Sequence, residues 1–269
     1  EVQTRKSFGS QADLTIRGGT FAQALVLVDG ARINDPLTGH FSTYIPIAMA
    51  EISRIEIVRG PGATLYGPDA VGGVVHIITK AYDEQNRPES SEGMAQFDYG
   101  QYDITTLNAG GHFVKNKLFV SGGVNWNRST GEPLPPDSTD IRNDFDIRTL
   151  SASLRYQLNE NWSLAARGAV DQRIFNAQYF YTRSTFDLSR EQTDQYLGQV
   201  RLTHENDKGS TYFDFSYKNM RDSFLFNPAL SANIHTTQFI QGQVHHQQRL
   251  NEMGDWSGPT SGPADHRQQ

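Results

Sequence analysis

Eight histidines, thirty acidic side chains and no cysteine are the material available for chemistry in these 269 residues. Without cysteine there is no disulfide framework, thiolate zinc site or cysteine nucleophile. His235, His245, His246 and His266 gather near the C-terminal end. His245 and His246 are adjacent, so on a strand they face opposite sides and cannot chelate one ion together; no metal site is read here. Gly60-Pro61-Gly62 lacks the lysine and helix setting of a phosphate-cradling loop. No Ser-His-Asp set or carboxylate pair stands out, so the chain is not read as an enzyme and no cofactor is expected. Two stretches are instead suited to binding. NDPLTGHFSTY, from Asn34 to Tyr44, mixes donors and acceptors (Asn34, Asp35, Thr38, His40, Ser42) with apolar surface (Leu37, Phe41, Tyr44). The competing reading is an ordinary loop that turns at Pro36 and Gly39. RIFNAQYFYTRSTF, residues 173–186, carries Phe175, Tyr179, Phe180 and Tyr181. Exposed aromatics are costly unless they pack or bind, so this loop either captures a ligand or packs on a neighbouring loop.

The elements that must position these loops are strands. In RTLSASLRYQ, residues 148–157, Leu150, Ala152, Leu154 and Tyr156 point one way and Thr149, Ser151, Ser153 and Arg155 the other. Trp162, Leu164, Ala166, Gly168 and Val170 likewise oppose Ser163, Ala165, Arg167 and Asp171. Further strands are predicted over 93–101, 103–114, 117–128, 192–206, 210–221 and 235–249, about eight in all. Several exceed the roughly 9–11 residues that a tilted barrel strand needs to cross a bilayer. Tight turns at Lys115-Asn116, Leu158-Asn159-Glu160 and Asp207-Lys208-Gly209 alternate with long loops at 129–142, 173–191 and 222–234. That alternation is the pattern of an outer-membrane barrel, and a soluble sandwich has no reason to keep it. Aromatics near strand ends, such as Phe97, Tyr99, Trp126, Tyr156 and Trp162, suit interfacial girdles, although strand packing alone also explains them.

Composition agrees with that reading and excludes others. Net charge is −6 with no basic block, which removes the electrostatic footprint of a nucleic-acid binder. Mean hydropathy is −0.57, and no run approaches the roughly 20 apolar residues of a membrane helix. Alternating barrel strands keep hydropathy low, so this value does not exclude a membrane.

Residues 1–82 differ in character from the long-strand region. They hold short β-branched runs between glycine-rich turns: a buried strand at Leu25–Val28, a tight turn at Asp29-Gly30, a return strand from Arg32, a short helix from Pro46 to Ala50, and strands at Ile52–Val58 and Val74–Thr79. The polar run 83–92 (DEQNRPESSE) reads as a linker. Residues 93–250 carry the long strands, and the aperiodic tail 251–269 reads as disordered.

The series LTIRGG (Leu14–Gly19), ALVLVDGARINDPLTGHF (Ala24–Phe41) and IPIAMAEISRIEIVRGPGATLYGPDAVGGVVHIITK (Ile45–Lys80) closely resembles the plug domain of TonB-dependent outer-membrane receptors. The resemblance covers about a quarter of the chain, and the strands after residue 93 agree with it, because in that family the barrel comes directly after the plug. It implies a mainly β fold: an α+β plug followed by antiparallel transmembrane barrel strands. It also implies a bacterial outer-membrane location and energy-coupled import of a scarce solute such as an iron-siderophore or cobalamin (vitamin B12), with the TonB complex and outer-membrane lipid as partners. Asn34–Tyr44 matches the plug loop that faces incoming solute. Arg17, Glu56 and Arg59 match charged residues that hold the plug against the barrel wall, where surface charge on strands is the alternative.

Barrels of this kind have about 22 strands round a plugged lumen. The chain is therefore expected to hold the C-terminal part of a plug and about eight barrel strands, with the TonB-contacting segment absent. Eight strands cannot enclose a plug. An open, curved sheet beside the plug remnant is expected, and no transport by this chain alone. The tail after Met253 is read as a frameshift or assembly artefact. Two other functions compete: a receptor of the same fold used for signalling or surface binding, glycans included, and a soluble β-rich carbohydrate-binding module. The plug motif argues against the module.

Overall fold

Alternation of apolar and polar residues and tight two-residue turns produce a large antiparallel sheet here. The computed structural model describes residues 1–4, 11–37, 39–60, 66, 70–83, 89–134 and 141–248, and only the backbone of His40. Two β units result. The inner unit holds β1 (Val2–Thr4), β2 (Ala12–Leu14), β3 (Ala24–Val28), β4 (Ala31–Arg32), β5 (Ile52–Arg59) and β6 (Gly73–Thr79). β1 pairs with β2, and the other four form a sheet in the order β4-β3-β6-β5. β3 runs parallel to β6 and is buried along its whole length, as its unbroken apolar sequence ALVLV requires. Asp29 and Gly30 both take positive φ (49° and 88°), the geometry of a tight hairpin turn, and return the chain into β4. The helix expected from Pro46 is a single 3-10 turn, Met49–Glu51.

The wall is β7 (Ser90–Tyr99), β8 (Thr105–Lys115), β9 (Leu118–Ser129), β10 (Phe145–Gln157), β11 (Trp162–Asn176), β12 (Arg190–Asn206), β13 (Gly209–Leu225) and β14 (Asn233–Gln248). The eight strands pair in sequence order, each antiparallel to the next, and among the described residues the end strands β7 and β14 each pair on one side only. The expected open sheet is therefore what forms. All eight predicted strands appear. β7 starts earlier than expected, because Ser90, Ser91 and Glu92 pair with Val114, Phe113 and His112 rather than belonging to a linker. Connections of 2 to 4 residues (116–117, 158–161, 207–208) mark one edge of the wall, the turn end. Residues 100–104, 130–144, 177–189 and 226–232 connect strands at the opposite edge, the loop end. The disorder expected for 251–269 lies outside the described residues, and no described helix is long and apolar enough to cross a membrane.

Between the exposed end strands β7 and β14, one face of the wall is mainly polar and covered by the inner unit; the other is mainly apolar and bare. Thr149, Ser151 and Ser153 are buried while Leu150 stays 60% exposed. On neighbouring strands Asp171, Gln195, Gln199 and Lys218 are buried, and Val200, Phe213 and Phe215 are exposed. This inverts a soluble protein's burial and matches a sheet whose outer face meets hydrocarbon. Apolar contact between the units is local. Val26, Val28, Ile33, Ile47 and Ile77 meet Ala169 and Leu197 mid-wall. Ala81 and Tyr82 meet Val114, Phe119 and Ala165 toward the turn end.

Candidate functional site

At the loop end the two sequence-predicted binding segments meet. Phe41 and Tyr44, from the inner unit, pack with Phe145, Ile147, Phe175 and Met220 of the wall, and Phe180 and Phe224 border the cluster. The tilted rings of Phe41 and Tyr44 lie 5.0 Å apart, centre to centre, and those of Phe175 and Phe180 6.1 Å. Tyr44 is fully buried, with the Arg173 guanidinium 4.1 Å from its ring centre. Burial, with the Glu191 carboxylate adding to it, holds the Tyr44 phenol well above its ordinary pKa, so it is neutral. The Tyr44 hydroxyl, the Ser42 hydroxyl, the Gln178 amide and Thr193 Oγ1 have no hydrogen-bond partner among the described residues. Tyr181 donates to Gln11 Oε1 (3.2 Å) and meets Phe224 edge-on at 5.6 Å, tying the 177–189 loop to the inner unit.

The other loop residues divide. Asn34 is buried, accepting from Val26 N (2.7 Å) and donating to Ala24 O (2.9 Å), so both its amide groups serve the loop's anchorage to β3. Asp35 is also buried, and its Oδ1 accepts from Leu37 N (2.8 Å), turning the chain. Gly39, with φ of 69°, completes the turn. Leu37 is 64% exposed at the tip, and Tyr179 and Tyr181 are exposed beside the cluster. Thr38 and the His40 side chain lie outside the described residues.

Midway down, the 3-10 turn Met49–Glu51 lies on a floor of wall glycines. A Cβ added at Gly110 would stand 2.7 Å from Ala50 Cβ, and one at Gly123 would stand 2.8 Å from Ala48 Cβ. Only glycine permits that approach. The fully buried Glu51 carboxylate accepts from the hydroxyls of Ser121, Ser151 and Ser153, and Ala48 N donates to Ser151 Oγ at 2.8 Å.

Nearer the turn end, Asp29 and Arg167 form an ion pair with both side chains fully buried. Asp29 also accepts from Thr79 N and Thr79 Oγ1, each at 2.8 Å. Tyr82 lies under the Arg167 and Arg201 guanidinium groups at 4.9 and 5.3 Å. Arg201 grips Asp214 at 2.7 and 2.9 Å and donates to Asp29 O at 3.0 Å. His76 Nε2 accepts from Gly30 N at 3.1 Å, and burial holds this imidazole below its ordinary pKa. Lys218 donates to Ile33 O, and Gln199 to Asp29 O at 2.9 Å.

The residues expected to bear on the wall do not touch β7 to β14 in this structure. β5 is the exposed edge of the inner sheet; Glu56 there is bound by Arg54 at 2.8 Å, and Arg59 and Arg17 are exposed. Asp29 and Arg167 make a buried charged contact between the inner unit and these strands. Half of it was visible in sequence, since alternation sets Arg167 opposite Ala166, Gly168 and Val170; nothing local marked Asp29 as its counterpart. His235, His245 and His246 lie on β14, and no group of three potential metal ligands occurs among the described residues.

The family model "TonB-dependent Receptor Plug Domain" matches residues 1–74. The vitamin B12 transporter BtuB of Vibrio cholerae serotype O1 is 32% identical over 216 residues, which is 76% of this chain and 35% of that protein. Its counterpart in Vibrio vulnificus is 31% identical over 177 residues, 62% of this chain and 26% of the relative. The chain thus spans about a third of the length of the curated relatives it matches. Among solved structures, the copper transporter OprC superposes with a TM-score of 0.71 at 13% identity, over 93% of this chain and 39% of that one. The ferric enterobactin receptor PfeA of Pseudomonas aeruginosa gives 0.62 at 18% identity, over 87% and 39%. At those identities the likeness is one of fold.

Proposed function

The chain belongs to the TonB-dependent receptors, and from that premise we propose that it serves the capture and energy-coupled import of a scarce, large solute across the bacterial outer membrane. The inner unit is the plug, and β7 to β14 are barrel strands. The observation that carries the proposal is the meeting of Phe41 and Tyr44 of the plug with Phe175 and Phe180 of the wall at the loop end. These rings are largely buried and couple the two units, so a solute seated above them on Leu37, Tyr179 and Tyr181 touches the part that must move and the part that stays. Those three residues are exposed, and the tyrosine rings carry hydroxyl groups beside the apolar tip. That mixture suits a solute with apolar bulk and many hydrogen-bonding groups, of the cobalamin or iron-siderophore kind.

The seam below suits a plug that must yield. It is held by hydrogen bonds and a buried ion pair, with only small patches of apolar packing between. A polar seam can re-form its hydrogen bonds with water as the plug shifts, whereas an apolar one would lose its packing outright. The TonB complex supplies the pull, and no covalent chemistry is involved.

Uptake tests the proposal. A receptor-deficient Gram-negative strain expressing the full-length gene is supplied with labelled cobalamin or labelled ferric siderophores. Uptake of one, abolished by removal of TonB, is the expected result. Absence of uptake for every solute, with the protein present in the outer membrane, would overturn it.

A further inference from the structure

Toward the turn end the wall grips the plug by its backbone. Three neighbouring strands, β12 to β14, reach one plug hairpin, residues 29–33. Asp29 O accepts from Gln199 at 2.9 Å and from Arg201 at 3.0 Å. Gly30 O accepts from Gln241 and Gln243, each at 3.3 Å. Gln241 Oε1 accepts from Arg32 N at 3.1 Å, and Lys218 donates to Ile33 O. A Cβ added to Gly30 would stand 2.7 Å from Gln243 Nε2, so the fit leaves no room for a side chain. Hydrogen bonds of this kind exchange for bonds to water one at a time, so the grip is close but releasable.

Two hollows flank this hairpin. One, of about 320 Å³, lies between Leu27 and His76 of the plug and Arg201, Tyr212, Phe239 and His245 of the wall. The other, of about 390 Å³, shares His76, Arg201 and Tyr212 with the first and reaches Tyr82 and Asp83 toward the turn end. Neither belongs to the aromatic cluster at the loop end: along β13, Tyr212 stands twelve residues from Phe224, roughly 40 Å at about 3.3 Å per residue. Tyr212 is the centre of a stack. The His245 ring lies 4.7 Å from it with planes 15° apart, and the Arg201 guanidinium lies 4.2 Å from its ring centre. β13 runs between β12 and β14, so cation, phenol and imidazole follow one another in strand order. Asp214 fixes Arg201 through two hydrogen bonds, 2.7 and 2.9 Å. The stack plays no part in the apolar contacts between plug and wall, which fall on Ala169 and Leu197 and on Val114, Phe119 and Ala165. Two guanidinium groups, Arg32 and Arg201, line the first hollow, and among the described residues no carboxylate does. Rings beside fixed cations suit a flat conjugated group that carries negative charge or many oxygen atoms.

We propose that the hollow beside Tyr212 is an inner subsite for the solute. It receives an anionic, ring-bearing part of the molecule after the loop end has released it, once the 29–33 hairpin has let go of β12 to β14. A volume of about 320 Å³ takes part of a large solute rather than the whole. The proposal rests on the import reading above and adds a second place where solute is held, remote from the plug tip.

Photo-cross-linking of the full-length receptor in living cells tests it. Phe239→p-benzoylphenylalanine puts the reactive group in the hollow, and Phe213→p-benzoylphenylalanine puts it on the bare outer face. The probes are labelled cyanocobalamin and labelled ferric enterobactin, each supplied alone, with illumination during uptake. The imported probe should be captured at position 239 when TonB is present and not when it is deleted, and at position 213 in neither case. Tyr212→Leu should lower the maximal uptake rate by roughly tenfold while probe binding to cells lacking TonB is unchanged, and Tyr212→Phe, which keeps the ring, should restore most of the rate. Resistance of the folded barrel to SDS at room temperature shows that each variant folds. Uptake without capture at position 239, capture there in the absence of TonB, or a Tyr212→Leu receptor that loses binding and rate equally overturns the proposal. Uptake of neither probe by the unsubstituted receptor sinks the import reading itself; uptake without capture sinks only the inner subsite.

Discussion

Ala48 of the plug rests on Gly123 of the wall so closely that a Cβ added to the glycine would stand 2.8 Å from Ala48 Cβ and 3.3 Å from Ala50 Cβ. The contact is a seat, and its depth is set by the missing side chain. Gly123→Val is expected to lift the 48–51 turn and separate Glu51 from the hydroxyls of Ser121, Ser151 and Ser153. Overpacking of this kind costs about 1–3 kcal/mol. A buried carboxylate that loses its donors costs more. Limited proteolysis should release plug peptides faster from Gly123→Val than from wild type, while SDS-resistant barrel mobility persists. Unchanged plug protection would show that the seat has slack.

Asp29 and Arg167 are both inaccessible to solvent, so each compensates the other's charge where water does not reach. Removing one partner strands the other in a poorly hydrated site. Arg167→Gln or Asp29→Asn alone is expected to destabilise by about 3–5 kcal/mol. The double variant should cost less than the sum of the two, and a double-mutant cycle by denaturant unfolding reads the coupling. Additive losses would mean that Thr79, not Arg167, satisfies the Asp29 carboxylate.

These two contacts mark where sequence reading succeeds and stops. The wall was legible because period-two alternation is a local signal. It separated Leu150, Ala152 and Leu154 from Thr149, Ser151 and Ser153 without any knowledge of partners. β7 was cut short by three residues because Ser90, Ser91 and Glu92 are polar, and the partners that make them a strand lie 20 or more residues away. Asn34 and Asp35 looked like ligand groups, yet short polar side chains readily bond their own backbone, and here both do so. Glu56 is bound here by Arg54, two residues away on the same strand, and makes no contact with β7 to β14. Glu51 carried no signal at all, since its three partners lie 70 to 102 residues further along.

His76 gives the plug a pH dependence of known sign. Burial is the largest influence on its imidazole and lowers its pKa from 6.5, and its Nε2 is occupied as an acceptor from Gly30 N. The folded state therefore takes up its proton at lower pH than the unfolded state does. Stability from this group is complete above about pH 6.5, falls as pH drops below it, and reaches its floor beneath the folded-state pKa. Plug protection measured from pH 8 to 5 should decline in wild type. In His76→Gln, which has no titrating group at that position, the decline should be shallower. Parallel curves would assign the dependence to carboxylates elsewhere.

Leu37 and Phe175 separate binding from folding at the loop end. Leu37 is 64% exposed, so Leu37→Asp removes little packing and should leave stability within about 0.5 kcal/mol. If the loop tip contacts solute, the same change places a charge against its apolar surface, and affinity should fall by roughly tenfold or more, equivalent to about 1.4 kcal/mol. Phe175 is completely buried beneath Tyr44 and Phe180, so Phe175→Ala should cost about 3–5 kcal/mol and lower uptake through the amount of folded receptor. Solute binding per folded molecule, measured on detergent-purified protein, tells the two apart. It should drop for Leu37→Asp, whose thermal unfolding is unchanged, and change less for the surviving fraction of Phe175→Ala. Wild-type affinity in Leu37→Asp would move the binding surface off the plug tip, toward the exposed rings of Tyr179 and Tyr181.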